Sequence, residues 1–300
     1  MTAGVGMVVG RAMVRDVSEG AQAQRLMSHV AMAFALAPAV APVLGGWLHV
    51  WAGWRSVFVF LALVTALIAL WCWRDLPETL PPHQRRPWSP RQLARAYGQT
   101  LTTPAFVAVS LAVTFFFVGF FVYVLSAPVF LMRHLQLGET QFLWFFGPNT
   151  AAMMLGSWLS AQLAGHLSRR GTLGAGVAVM AAAATANVVL NVLAPPAVPW
   201  SMTPIAVYVL GMALAMPSLN LLALDLFPQR RGLAASCQGF VQSGFNAVAA
   251  GVIAPLLWSA PLVLAAGEAA FVLMGVIALS ACWLALRART ARNAAEGAQP

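Results

Sequence analysis

Eight stretches of this 300-residue chain are each close to the length that crosses a bilayer, and they contain one charged side chain between them, Glu268. A spanning helix needs about 20 mostly apolar residues. By that measure full helices are expected over 27–48, 56–73, 104–127, 142–165, 173–194, 204–224, 236–257 and 262–286. Punctuation falls where the helices should end: Gly53, the proline-rich 77–90, Gly138, Gly171, APPAVP at 194–199, Pro228–Gly232 and Ser259–Pro261. Hydrophobic residues make up 60% of the chain and charged ones 8%, against about 25% charged in soluble domains. The fold class is therefore all-α, a polytopic membrane helix bundle. Ahead of the first full helix lies MTAGVGMVVGRAMV, apolar but only about 14 residues long. At 1.5 Å per residue it covers about two-thirds of a 30 Å hydrocarbon core.

The charge of +9 is carried by arginine alone. If alternate loops face the same side, one side collects Arg15, Arg25, Arg74, Arg85, Arg86, Arg91, Arg95, Arg169, Arg170, Arg230, Arg231, Arg287, Arg289 and Arg292. The other collects Arg55 and Arg133. Such asymmetry marks the arginine-rich side, C-terminus included, as cytoplasmic. Scattered over loops, these arginines make no stripe for nucleic acid, and none is expected as a partner. Residues 74–103 are the longest polar connection. Within them Ser89-Pro90 and RQLARAYGQTL predict a capped amphipathic helix with Leu93, Ala94, Tyr97 and Leu101 on one face, lying at the membrane surface.

Residues 35–55 place Pro38, Pro42, Gly45 and Gly46 at i, i+4, i+7 and i+8, one face of a helix. The prolines predict bends, and the glycines predict close approach of a neighbouring helix. The three cysteines, Cys72, Cys237 and Cys282, are far apart in apolar runs and read as unpaired. No metal-ligand spacing, phosphate loop or nucleophile–base set is present, so neither an enzyme nor a cofactor is expected.

Several motifs resemble those of one transporter family. APAVAPVLGGW at 37–47 is similar to the antiporter motif on helix five of drug:proton antiporters. GRAMVRD at 10–16, followed by RLMS, resembles the end of helix four and its loop in Bcr/CflA (bicyclomycin-resistance) multidrug transporters of the major facilitator superfamily. PETLPPHQRRPW at 77–88 and FPQRRGLAASCQGF at 227–240 are similar to that group's central loop and loop between helices ten and eleven. The resemblance implies a major facilitator fold lacking about its first three and a half helices, an N-terminally truncated or fragmentary chain. It divides the chain into 1–75 (end of helix four, helices five and six), a cytoplasmic linker 76–103, a C-terminal six-helix half 104–287 and a tail 288–300. It further implies an inner (plasma) membrane location and export of small hydrophobic drug-like compounds by proton antiport, with membrane lipids around it. The alternatives are export or import of a specific small metabolite, or an inactive truncated product.

Chemistry inside the membrane is sparse. Glu268 lies about two turns into the last helix and is a weak candidate for proton coupling. Gln238, Gln242 and Asn246 form an i, i+4, i+8 polar stripe that should face the bundle. Asn149, Asn220, Asn187 and Asn191 are further amides within spans. The family arrangement favours Asn220 as cavity-lining and demotes Asn187 and Asn191. It also brings Phe116, Phe120 and Tyr123 of TFFFVGFFVYV to the cavity. Arg15 and Asp16 are expected at the cytoplasmic end as a latch, and Asp225 is expected to pair locally with Arg230 or Arg231.

Overall fold

A computed structural model describes residues 3–76, 90–137 and 143–296, with some side chains in 3–50 and a few elsewhere outside the description. All the named elements are helical: α1 (Ala3–Val17), α2 (Gly20–Ala52), α3 (Trp54–Asp75), α4 (Pro90–Thr102), α5 (Pro104–Leu125), α6 (Leu143–Leu163), α7 (Arg169–Leu193), α8 (Thr203–Asp225), α9 (Arg231–Val248), α10 (Ala254–Leu257) and α11 (Pro261–Glu296). Six segments among the described residues are long and apolar enough to cross a membrane: Trp54–Asp75, Pro104–Leu125, Arg169–Leu193, Thr203–Asp225, Arg231–Leu257 and Pro261–Arg289. The two other expected spans occur as α2, 33 residues long, and α6, 21 residues long. The chain is a multi-pass membrane protein.

Helix ends overrun the charge-free runs, because a helix continues past the lipid where charged side chains meet water. Thus α2 begins at Gly20, not 27, and α11 runs through the expected tail to Glu296. Prolines open α4, α5 and α11, where a missing N–H costs no hydrogen bond. Inside the lipid the chain absorbs Pro255 differently. The helix widens to a π-turn over Ala249–Ile253 just before it, so α9 and α10 remain one span. Ser168 caps α7 by accepting from the Gly171 N–H at 3.1 Å.

The bundle's centre is α5, α7, α8 and α11, with α5 against α11 and α8 between α6 and α7. Two buried clusters fill it. One runs from Phe106 and Phe116 through Met180, Tyr208 and Leu219 to Cys282. The second gathers Tyr123, Phe130, Phe145, Ile205 and Phe271. Glycine decides how closely the helices approach. A Cβ at Gly176 of α7 would stand 2.7 Å from the Gly211 carbonyl oxygen of α8, and one at Gly211 would stand 2.8 Å from the Gly176 carbonyl oxygen. A Cβ at Gly156 of α6 would collide with the Leu210 carbonyl. Backbone-to-backbone packing at small residues is how membrane helices gain contact when apolar burial offers nothing over lipid.

α1 packs on α9 and α2 packs on α6 and α8, so the first part of the chain docks onto the second. Helix α3 packs on α2, has no buried residue and leaves Phe58, Trp71 and Trp73 exposed. On α4 the inward residues are Ala96, Tyr97 and Thr100, with the Tyr97 hydroxyl 3.4 Å from Ser236 Oγ. Of the expected apolar face, Ala94 and Leu101 are exposed and Tyr97 is half-buried, and the Leu93 side chain and Ser89 lie outside the described residues. The small residues Ala96 and Thr100 let α4 lie against α5 and α9. The three cysteines are free, Cys72 exposed and the others buried.

Candidate functional site

Asp225 ends α8, where the partial negative charge of a helix C-terminus makes a carboxylate unfavourable. Arg169 begins α7, where a cation is equally misplaced. The fold joins the two: Arg169 Nη1 donates to Asp225 Oδ2 at 2.7 Å. Arg15, in the last turn of α1, donates from Nε to Asp225 Oδ1 at 2.5 Å and from Nη1 to the Ser18 carbonyl at 2.9 Å. One carboxylate therefore ties three helices, one from the first part of the chain and two from the second. Beside it Arg231 Nη1, at the start of α9, donates to Asp16 Oδ1 at 3.3 Å.

The seam continues along α2. Gln24, buried, donates from Nε2 to the Ser160 carbonyl of α6 at 3.2 Å and to its Oγ at 3.4 Å. Arg25 Nη2 donates to the Ala164 carbonyl at 3.0 Å. Ala23, Met27 and Ser28 are buried here, while Leu44 and Trp51, towards the far end of the same helix, are exposed. The two parts of the chain are thus pressed together at the end where the arginines gather. Arg230 reaches Gln99 Oε1 of α4 at 3.2 Å, and the Arg170 guanidinium lies 4.6 Å from the Trp283 ring centroid.

The expected pairing is corrected in its partners. Arg15 and Asp16 each pair with another helix, and among the described ion pairs Asp225 binds Arg15 and Arg169, not Arg230 or Arg231; Arg15–Asp225, Arg169–Asp225 and Arg231–Asp16 all cross between helices. Spacing along the chain identified the charges but not which helix ends meet.

Of the amides, Gln238 and Asn220 come together, the Gln238 Nε2 donating to Asn220 Oδ1 at 2.8 Å. Gln238 is buried and its Oε1 has no partner, nor has the buried Asn246 Oδ1. Gln242 is half-buried on the same helix. Asn149 donates to its own helix at the Phe145 carbonyl, 2.7 Å away, and leaves Oδ1 unpartnered. Unpaired acceptors inside an apolar bundle are costly unless water or a ligand meets them. Ser157 and Ser218 add buried hydroxyls of the same kind, which apolar runs concealed in the sequence.

The aromatics divide. Phe116 is buried facing α11, since a Cβ at Gly275 would meet its ring at 2.5 Å, and its carbonyl accepts from the Tyr208 hydroxyl at 2.8 Å. Tyr123 is buried too and accepts from Asn187 Nδ2 at 2.9 Å. Phe120 is half-buried against both core clusters. Phe115 crosses to Phe245 of α9, ring centroids 5.4 Å apart. Of the proline–glycine motif, the α2 backbone is helical throughout, but the side chains of Pro38 and Pro42 and the surroundings of Gly46 lie outside the described residues. At Gly45 a Cβ would meet nothing within 4 Å.

Comparison with known proteins gives a context for this geometry. The family model for the Major Facilitator Superfamily matches residues 1–250. The chain is 28% identical over 242 residues to the MFS-type transporter YdgK of Bacillus subtilis, covering 80% of this chain and 60% of that protein. It is 28% identical over 156 residues to a bicyclomycin resistance protein homolog of Haemophilus influenzae, covering 52% of this chain and 39% of that one. It is 25% identical over 240 residues to the multidrug transporter MdfA of Escherichia coli O157:H7, covering 78% and 57%. The chain thus matches about two-fifths to three-fifths of the length of these relatives.

Proposed function

The chain belongs to the major facilitator superfamily, a family of transporters, and from that premise we propose that it serves export of small hydrophobic compounds by proton antiport and alternating access, in the manner of the Bcr/CflA group. Residues 1–75 are assigned to the N-terminal half, 76–103 to the cytoplasmic linker, 104–287 to the C-terminal half and 288–300 to a cytoplasmic tail. The arginine-rich end is cytoplasmic, and the Asp225 and Asp16 ion pairs hold it shut. Pro38, Pro42, Gly45 and Gly46 form the segment about which the first part of the chain flexes.

The observation that carries the substrate class is the amide set on α8 and α9. Gln238, Asn220, Gln242 and Asn246 offer hydrogen-bond donors and acceptors without charge, two of their acceptors are unsatisfied, and Phe115 and Phe245 lie alongside. Apolar and aromatic surface with a few neutral polar groups accepts varied hydrophobic ligands and offers a charged metabolite no counter-charge. Asn149 and Phe120 are assigned to the same cavity.

The test is drug susceptibility in a host deprived of its own pumps, comparing the chain with a version extended by its in-frame upstream codons. The extended form is expected to raise resistance to lipophilic compounds. In it Asn220→Leu is expected to reorder the resistance profile, changing some compounds about tenfold, roughly the value of one buried hydrogen bond, with little loss of protein from the membrane. An unchanged profile for every compound tested removes Asn220 from the cavity. No resistance to any compound from the extended form overturns the proposed export.

A further inference from the structure

Glu268 is fully buried two turns into α11, at the seam with α5 and α7. Asn187 Nδ2 of α7 donates to its Oε2 at 2.7 Å and to the Tyr123 hydroxyl of α5 at 2.9 Å. Asn187 is itself held by Asn191, whose Nδ2 donates to the Asn187 Oδ1 at 3.0 Å and to its backbone carbonyl at 2.8 Å. Every polar atom of the Asn187 side chain is thus used, and its orientation is fixed. What is left over is Glu268 Oε1, a buried carboxyl oxygen with no partner.

The surroundings offer no cation. From α5 the titratable group facing the carboxyl is Tyr123, and from α8 it is Tyr208, whose hydroxyl is committed to the Phe116 carbonyl. Helix α7 presents the amides Asn187 and Asn191, and α10 contributes only Ala-Pro-Leu-Leu. No ion pair to Glu268 occurs among the described residues. A permanent buried anion would be left without counter-charge, and a permanently neutral acid here would do nothing that glutamine could not. The built amide clamp on one oxygen and the bare second oxygen fit a group that exchanges one proton.

We propose that Glu268 is a reversible proton-binding site in the C-terminal half, formed with Asn187 and Tyr123 between α5, α7 and α11. A lone pair on Oε1 forms the O–H bond, and the proton comes from water at the end of α11 nearest Glu268, about 10 Å away at 1.5 Å per residue. Releasing it returns the proton to water and leaves a carboxylate whose described partner is the Asn187 amide on Oε2. The inference gives a residue to the proton coupling proposed above and rests on it only for its use in transport. Proton binding itself is a property of this helix seam.

The experiment is infrared difference spectroscopy of the purified chain in lipid nanodiscs, stepped between acid and alkaline pH. A protonated-carboxyl carbonyl band is expected at low pH, lost reversibly at high pH, absent in Glu268→Gln and displaced in frequency by Asn187→Leu. Asp225→Asn, whose carboxyl lies in a different cluster, is expected to leave the band in place. Loss of the band at every pH in the wild type, or persistence of the band unchanged through the whole range, overturns the proposal. So does a band that survives Glu268→Gln. The wild-type titration reads the site even where a variant fails to fold. Because it needs no drug, its outcome is independent of the resistance test.

Discussion

Replacing Asp225 with asparagine is expected to open the arginine-rich end of the seam, raising the maleimide reactivity of a cysteine placed at Ser160 at least tenfold. Asp225 accepts from Arg15 and Arg169 on two other helices, and its side chain is 26% exposed against 11% for Arg15. Hydrogen bonds to charged groups are worth about 1.5–3 kcal/mol each, less for the more exposed Arg169. The variant loses the charge in both and leaves two guanidinium groups beside a neutral amide. A change of about 1.4 kcal/mol in the closed-to-open equilibrium is already tenfold. Ser160 is buried beneath Gln24 in the closed seam, so its labelling rate reads that equilibrium directly. Asp225→Glu is expected to restore protection. Equal labelling in wild type and Asp225→Asn shows that the ion pairs hold nothing shut.

A second large effect is expected at one of two glycines that lie two residues apart on one helix, and not at the other. Gly176→Leu puts a side chain where a Cβ alone would sit 2.7 Å from the Gly211 carbonyl oxygen and 2.9 Å from the Ala215 amide nitrogen. Backbone cannot turn aside as a side chain can, so α7 and α8 must separate, at a cost at or above the upper end of the roughly 1–3 kcal/mol seen for overpacking. Gly174→Leu meets nothing within 4 Å. It removes a helix-interior glycine and is expected to be neutral or to stabilise by up to about 1 kcal/mol. Denaturation midpoints in mild detergent decide the matter: Gly176→Leu should fall well below wild type and Gly174→Leu should not. Equal midpoints for the two variants refute the close approach.

Much of this architecture was legible in the sequence because lipid leaves a chain few options: backbone groups must pair within a helix, so charge-free length translates into spans. The arginine turns were legible for the same reason, and Arg15, Arg169 and Arg231 do converge at one end. Pairing across helices was not. Asp225 reads as the neighbour of Arg230 and Arg231, yet binds residues 210 and 56 positions away. Nor does the sequence show that Asn187 holds Glu268, because a pattern along one helix does not reveal which helix it faces. Close helix approach occurs at Gly156, Gly176 and Gly211, glycines that stand in no recognisable motif; at Gly45 a Cβ would meet nothing within 4 Å, and the surroundings of Gly46 lie outside the described residues.

In the proposed threading the arginine-bearing ends of the helices lie together in the cytoplasm as the closed end of a carrier. Labelling with a membrane-impermeant maleimide in intact cells, on a chain without native cysteines, tests it most directly. Both chosen positions are exposed, His166 between α6 and α7 and Ser259 between α10 and α11. Ser259→Cys is expected to react from outside, and His166→Cys only after the membrane is permeabilised. Reaction of both from the same side, or of His166→Cys alone from outside, would contradict the threading on which the transporter reading stands.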